Sequence, residues 1–229
     1  MFPLPHAGEG RCELKLSTVQ HKKTMTIQST SHLLVVDDDP ALRMMLRGVL
    51  ELNDFRVSEA ESRQTALAML EQQADISVVI LDLGLPPYAH EIVEGIATLQ
   101  AIQAAIFPVK VIVLTGQDQE AAALAAIREG AFDFLAKPAS ADAILRAVRR
   151  AELFLQKERE LGELGITRIA INAQVSDGLK GVRVDAEERL VRQILKETGF
   201  NVNQSAKRLG VKRENIYYFL KKFGIERDA

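Results

Sequence analysis

The sequence predicts an α/β chain: a doubly wound, five-stranded parallel sheet with helices on both faces, followed by a small all-helical domain. Two observations predict the first part. Short β-branched runs recur between residues 33 and 136, and the stretches between them carry apolar residues at helical spacing. A third predicts the second part, because from residue 185 onward the apolar period is helical and the local charge turns positive.

The elements follow in order. Residues 1–31 contain Pro3 and Pro5 and no sustained period, so they read as a disordered tail with too little apolar surface to offset the entropy of ordering. Met25 stands close ahead of the first strand as an alternative start. The strand runs are LLVV (33–36), FRVSEA (55–60), ISVVIL (76–81), VKVIVLT (109–115) and FDFLA (132–136). Leu42, Met45, Leu46, Val49 and Leu50 predict a helix over 40–52, and Ala66, Leu67 and Leu70 a second. Strands alternating with helices in this way imply a parallel sheet covered on both faces. A helix from about Ala141 runs on through AELFLQKERELGELG, whose apolar residues drift off a heptad, and Gly162 and Gly165 are expected to end it. Ile169, Ile171, Ala173 and Val175 alternate like a strand before a turn at SDGLKG. Helices are then expected at 186–198, from about Asn203, and at 213–223, with a turn at Gly210 and Val211.

Composition limits the function classes. The 229 residues are 47% hydrophobic, 26% charged and 5% aromatic, which suits one large or two small globular domains. A single cysteine, Cys12, excludes an intrachain disulfide and a cysteine-held metal cluster, as expected in a reducing cytosol. Nowhere does an apolar run approach the roughly 20 residues of a membrane span, so a cytoplasmic protein is expected. Between residues 183 and 229, eleven basic residues face seven acidic ones, net +4, which leaves −6 on the remainder of a chain of net charge −2. A basic domain beside an acidic one is the electrostatic footprint of a nucleic-acid module.

The chemistry collects at the strand ends. Asp37 and Asp38 follow the first strand, Asp82 the third, Thr115 ends the fourth, and Lys137 and Pro138 follow the fifth. In open parallel sheets ligands bind outside these carboxyl ends. Alone, a strand-end aspartate is an ordinary cap and a lone threonine or lysine ordinary surface; five such groups from four segments converge on one crevice. Adjacent carboxylates tolerate one another when a hard divalent cation lies among them, and Mg²⁺ prefers about six oxygens. Asp39 precedes Pro40 and is expected to cap the helix that begins there, not to bind metal.

This combination resembles the receiver domain of two-component response regulators over about residues 32–155, a flavodoxin-like fold. The spacings agree: 44 residues separate Asp38 from Asp82 and 22 separate Thr115 from Lys137. The 33 residues between Asp82 and Thr115 imply an extended loop around GLPPYAHE, beside the site. The resemblance implies that Asp37, Asp38, Asp82 and the Gly84 carbonyl hold Mg²⁺. It implies that Asp82 accepts a phosphoryl group from a sensor histidine kinase, that Lys137 neutralises transferred charge, and that Thr115 bonds a phosphoryl oxygen. Phe134 occupies the place of the aromatic that moves inward with the threonine, and Lys137–Pro138 is expected to be cis. A rival reading takes VVDDDPAL as the opening of a haloacid-dehalogenase-like phosphohydrolase with Asp37 as nucleophile. That reading leaves Asp82 unexplained and finds only Asp142 after Lys137 where an acidic pair is needed.

The segment NVNQSAKRLGVKRENIYYFLKKFGI (201–225) resembles the helix-turn-helix of the Fis family. Ala206, Leu209, Val211, Ile216 and Leu220 match its packing positions, and Ile216, Phe219, Leu220 and Phe223 fall on one face. Lys212, Arg213, Asn215, Tyr217, Tyr218, Lys221 and Lys222 are then left for double-stranded DNA, the lysines on phosphate. Relatives usually carry basic residues where Tyr218 and Phe219 lie. The expected organisation is a tail (1–31), a receiver (32–155), a helix extension and linker (156–184) and a helix-turn-helix domain (185–229). No Gly-x-x-x-x-Gly-Lys loop occurs, so no ATPase domain is expected between the modules. The expected protein is a phosphorylation-dependent, homodimeric DNA-binding regulator and not an enzyme; the alternative is a receiver whose C-terminal helices dock on protein.

Overall fold

The computed structural model describes residues 30–116, 119–166 and 178–225. Five strands, β1 (His32–Val36), β2 (Arg56–Ala60), β3 (Ile76–Leu81), β4 (Lys110–Thr115) and β5 (Asp133–Ala136), form one parallel sheet in the order β2-β1-β3-β4-β5. Helices α1 (Pro40–Glu51), α2 (Arg63–Gln72), α3 (Val93–Ala104), α4 (Gln119–Arg128) and α5 (Ala141–Glu163) connect and cover it, and α6 (Gly178–Glu197), α7 (Val202–Leu209) and α8 (Arg213–Lys222) follow.

Alternation along the strands builds two cores. Leu34, Val36, Val79, Leu81, Val111 and Val113 face α2, α3 and α4, where Ala66, Leu70, Leu99, Ile102 and Ala126 meet them. Leu33, Val35, Val78, Ile80, Ile112 and Leu114 point the other way, onto Leu46 and Leu50 of α1 and Ile144, Ala147, Val148 and Ala151 of α5. Side chains of successive strand residues leave opposite faces, so an unbroken apolar run fills both layers.

Helix starts are set locally. Asp39 accepts the Ala41 and Leu42 amides (2.8 and 3.4 Å) with Pro40 in the first turn, and Ser62 and Thr65 close a capping box on α2. Ser140 caps α5. In the C-terminal part Asn201 caps α7, and Gly210, at φ +66°, ends it in the left-handed region that a glycine enters without a Cβ clash. Val191, Leu195, Ala206 and Ile216 form the core there, with Leu209, Val211, Phe219, Leu220 and Phe223 against it, so every packing position expected from the sequence is used. Lys196 of α6 donates to the carbonyls of Ala105 and Ile106 at the end of α3 (2.7 and 2.8 Å), where helix carbonyls attract a cation.

Several expectations change. Met45 is 46% exposed, because α1 rests on the sheet through Leu46 and Leu50 and the neighbouring position turns away. Gly162 lies inside α5, and the helix ends before Gly165, whose φ of +77° continues no helix. Residues 178–184, expected in a linker, belong to α6, which begins eight residues before position 186. The strand-like alternation at 169–175, the tail with Cys12 and Met25, and the last four residues lie outside the described residues. Among the described residues no helix is long and apolar enough to cross a membrane.

Candidate functional site

The strand order reverses between β1 and β3: the chain leaves β1 to one side for β2 and to the other for β3. Val36 pairs with Leu81, and the Asp82 amide donates to the Val36 carbonyl (2.8 Å), so the residues that follow these strands emerge side by side. Carboxylate oxygens of Asp37, Asp38 and Asp82 all lie within 4.8 Å of one another, with Asp37 and Asp82 buried and Asp38 exposed. Thr115 pairs with Ala136 across β4 and β5, and the Lys137 amide donates to the Thr115 carbonyl (3.0 Å). This places the Lys137 ammonium 2.7 Å from Asp37 Oδ2 and 3.1 Å from Asp82 Oδ2. Residues 100 positions apart thus meet in one ion pair.

Other groups orient these side chains. Asp37 Oδ1 accepts the Asp39 amide and Asp82 Oδ1 accepts the Leu83 amide, both at 2.9 Å. Thr115 is fully buried at the strand end. Phe134 pairs with Val113, two residues before Thr115, and packs into the core on the α2, α3 and α4 face. Threonine and aromatic therefore share one face of the sheet. The Lys137–Pro138 bond is cis, as expected, and so is Pro86–Pro87. The extended loop bends back on the site: a Cβ on Gly84 would lie 2.6 Å from the Ala89 carbonyl oxygen and 3.4 Å from Asp82 Oδ2. Position 84 is a glycine because the loop leaves no room for a side chain.

Electrostatics describe a pocket short of positive charge. Burial pushes the Asp37 carboxyl above its ordinary value, against the opposing pull of Lys137 and the Asp39 amide. Burial alone would lower Lys137, yet its hydrogen bond to Asp37 and the charge of Asp82 hold it above the usual amine value, so it stays cationic. One ammonium stands among three carboxyl groups, so acidic side chains outnumber basic ones in the cluster. The donors are all oxygen and closely spaced, which fits a small hard divalent cation. Asp142, required by the phosphohydrolase reading, is instead paired with Arg146 on the surface of α5.

Helix α8 presents the second candidate surface. Lys212, Arg213, Asn215 and Lys221 are exposed, and Tyr217 and Tyr218 are 50% and 60% exposed. Arg213 donates to the Tyr217 hydroxyl (3.2 Å), which presents guanidinium and ring together. Lys222 is exposed as well and pairs with Glu187 of α6. Phe219 packs into the helical core, stacked on Phe223 at 6.1 Å, and is no substitute for a basic contact residue.

Sequence reasoning missed one charged pair beside the acidic cluster. Arg43 donates to the Asp37 carbonyl (2.6 Å) and lies 3.4 Å from Glu59. Neither residue belongs to a strand-end motif, and only the β1–β2 register brings them together.

Residues 33–149 match the model of the response regulator receiver domain, and residues 183–223 match that of the Fis family of bacterial regulatory proteins. Residues 150–182 separate the two matches. Over 165 residues the chain is 35% identical to the C4-dicarboxylate transport transcriptional regulatory protein DctD of Rhizobium meliloti, covering 72% of this chain and 34% of that one. It therefore spans about a third of that relative's length. It is 32% identical over 120 residues to the chemotaxis protein CheY of Listeria monocytogenes, 52% of this chain and 96% of that one. Among solved structures, NtrX from Brucella abortus is similar with a TM-score of 0.54 at 28% identity, over 62% of this chain and 32% of that one.

Proposed function

The chain belongs to the response regulator receiver family, and on that premise we propose that it is a cytoplasmic, phosphorylation-dependent transcription regulator that takes a phosphoryl group from a sensor histidine kinase and binds double-stranded DNA. The observation that carries the proposal is the meeting of Asp37, Asp38 and Asp82 within 4.8 Å with the Lys137 ammonium among them.

Asp82 is the acceptor. Its carboxylate oxygen forms a bond to phosphorus as the phosphorus–nitrogen bond to the kinase histidine breaks and the imidazole leaves with the bonding pair. The Leu83 amide fixes the carboxylate's orientation from one oxygen, and Lys137 stands beside the other to meet charge on the transferred oxygens. Asp37, Asp38, Asp82 and the Gly84 carbonyl would hold Mg²⁺, which when bound supplies the remaining neutralisation of that charge. Thr115 donates its hydroxyl to a phosphoryl oxygen. Phe134, on the same face, follows the threonine and carries the change to the surface around β4 and β5. Phosphorylation then shifts an existing equilibrium toward a dimer whose two α8 helices enter successive major grooves. The working division is a receiver at 32–155, a joining segment at 156–184 that holds the end of α5 and the first turns of α6, and a DNA-binding domain at 185–229.

The test incubates the full chain with acetyl phosphate and magnesium, traps the acyl phosphate by reduction and maps it by mass spectrometry. The expected adduct is on Asp82 and is lost in Asp82→Asn with the circular dichroism unchanged. An adduct on Asp37 favours the phosphohydrolase reading and overturns this one. For the C-terminal domain, affinity for DNA is expected to fall steeply with salt as phosphate contacts release counterions. Capture of protein without salt-sensitive DNA binding would replace the DNA reading by a docking one.

A further inference from the structure

The acidic pocket has a support of its own outside the strand ends. The Asp37 amide donates to the Ala60 carbonyl (3.1 Å), which anchors one side of that residue to β2. Its carbonyl, which leads into Asp38, accepts from Arg43 Nη1 at 2.6 Å. The Arg43 side chain is only 13% exposed, and its Nε lies 3.4 Å from Oε2 of Glu59, itself 27% exposed. Glu59 pairs in register with Val35 of β1, one strand over from the cluster. Its second oxygen faces Arg47, which is already engaged by Glu51 at 2.7 Å.

This placement runs against two ordinary preferences. Arg43 sits near the N-terminus of α1, where the helix dipole disfavours a cation. It is also a guanidinium beside a pocket suited to a divalent cation, which an uncompensated positive charge would repel. Both penalties are offset if the guanidinium grips the main chain while a carboxylate cancels its charge. Arg can do both at once, since separate nitrogens of its planar fork reach the carbonyl and the carboxylate, whereas a lysine offers one point charge.

We propose that Arg43 and Glu59 are a positioning pair for the acidic pocket: Arg43 fixes the Asp37 carbonyl and so the directions of the Asp37 and Asp38 carboxylates, and Glu59 cancels the guanidinium charge so that it does not compete with the divalent cation. The proposal rests on the receiver reading above. Neither residue touches the transferred group.

The test measures Mg²⁺ binding to the full chain by isothermal titration calorimetry in wild type, Arg43→Ala, Arg43→Lys, Glu59→Gln and the Arg43→Ala/Glu59→Gln double variant. Removing an outer partner of a metal ligand typically weakens binding ~10- to 100-fold, and Arg43→Ala is expected near the lower end of that range. Arg43→Lys keeps the charge and the fold but not the two-point grip, and is expected to remain weak. Glu59→Gln keeps the grip and exposes the charge, so its deficit, on the order of threefold to tenfold, shrinks as salt rises. The double variant is expected to be no weaker than Arg43→Ala, since no guanidinium then remains to be neutralised. In phosphorylation by acetyl phosphate the magnesium half-saturation rises while the rate at saturating magnesium stays within about twofold, as a positioning role requires. Wild type that binds magnesium, with all variants binding equally well, overturns the pair alone. Wild type that binds no magnesium overturns the proposed phosphotransfer at Asp82 and this inference with it.

Discussion

Replacing Gly95 by alanine puts one methyl group where the structure has no space. A Cβ at that position would lie 2.2 Å from the Leu83 Cα and 2.6 Å from its carbonyl oxygen, both backbone atoms that cannot rotate away. The Gly95 amide also donates to that carbonyl at 3.2 Å, so the first turn of α3 rests directly on the chain that follows Asp82. Gly48 supplies the control: it too lies within a helix, α1, and a Cβ there meets nothing within 4 Å. Helix propensity favours alanine at both positions by roughly 0.5–1 kcal/mol. Overpacking against well-packed surroundings costs about 1–3 kcal/mol, and contact with fixed backbone belongs at the upper end. Gly48→Ala should therefore gain about 1 kcal/mol and Gly95→Ala lose about 2 net, a difference of roughly 3 kcal/mol between two chemically identical changes. At roughly 3–5 °C per kcal/mol for a domain of this size, calorimetry should show the receiver transition rising by about 3–5 °C in the first and falling by about 6–10 °C in the second. Gly95→Ala should also slow phosphorylation of Asp82, whose Oδ1 is held by the displaced Leu83 amide. A Gly95→Ala protein as stable as Gly48→Ala would refute the close approach of α3 to this segment.

Four further outcomes are expected. Asp39→Ala removes the acceptor for the Ala41 and Leu42 amides and should cost about 1 kcal/mol of stability, leaving magnesium affinity within about twofold; a tenfold loss in calorimetry would make Asp39 a metal ligand. His32, buried at the start of β1, accepts from Arg56 at Nδ1 (2.6 Å) and donates from Nε2 to the Ser58 hydroxyl (2.9 Å), which donates to Gln73 Oε1 (3.0 Å); Asp75 lies 3.2 Å from Nδ1. Burial, then the charge of Arg56, hold its imidazole below the ordinary value, so its contribution is fully present above the unfolded pKa near ~6.5 and is lost as pH falls from there through the lower folded one. The melting temperature of wild type should accordingly drop more steeply than that of His32→Gln between pH 7 and 5, and parallel curves would remove the imidazole as the cause. Ile216 is fully buried in the C-terminal core, so Ile216→Ala should cost on the order of 2–5 kcal/mol, melting α6 to α8 and abolishing DNA binding with Asp82 phosphorylation intact. Tyr218→Ala, on the exposed face, should keep the helices folded and lower DNA affinity; equal loss of helicity in both variants would contradict the assignment of faces.

The two modules share one device at different scales. In the acidic pocket, Asp37 and Asp82, at the ends of β1 and β3, are held by backbone amides and by Lys137 from the end of β5. On α8 and its C-cap, buried Ile216 with Phe219, Leu220 and Phe223 packed against the same core fixes which residues remain outside. In both, apolar packing decides the placement of polar groups that the packing itself does not use.

What the sequence determined by itself was everything governed by local period and local chemistry. The unbroken runs at 33–36 and 76–81 announced strands buried on both faces, Asp39 and Pro40 announced a helix start, and the polar residues at four strand ends announced which groups converge there. The packing positions Ala206, Leu209, Val211, Ile216 and Leu220 were legible because helix periodicity depends on neighbours three and four residues away. Only the tertiary structure decided which charge meets which: Arg43 with Glu59 and the Asp37 carbonyl, Lys222 with Glu187, and Gly95 against Leu83. It also turned Met45 to solvent and carried α6 back to Gly178. The physical reason is range. A helix or strand pattern is written within a few residues, whereas these contacts depend on strand register, helix rotation and loop closure, which are fixed by the packing of the whole chain.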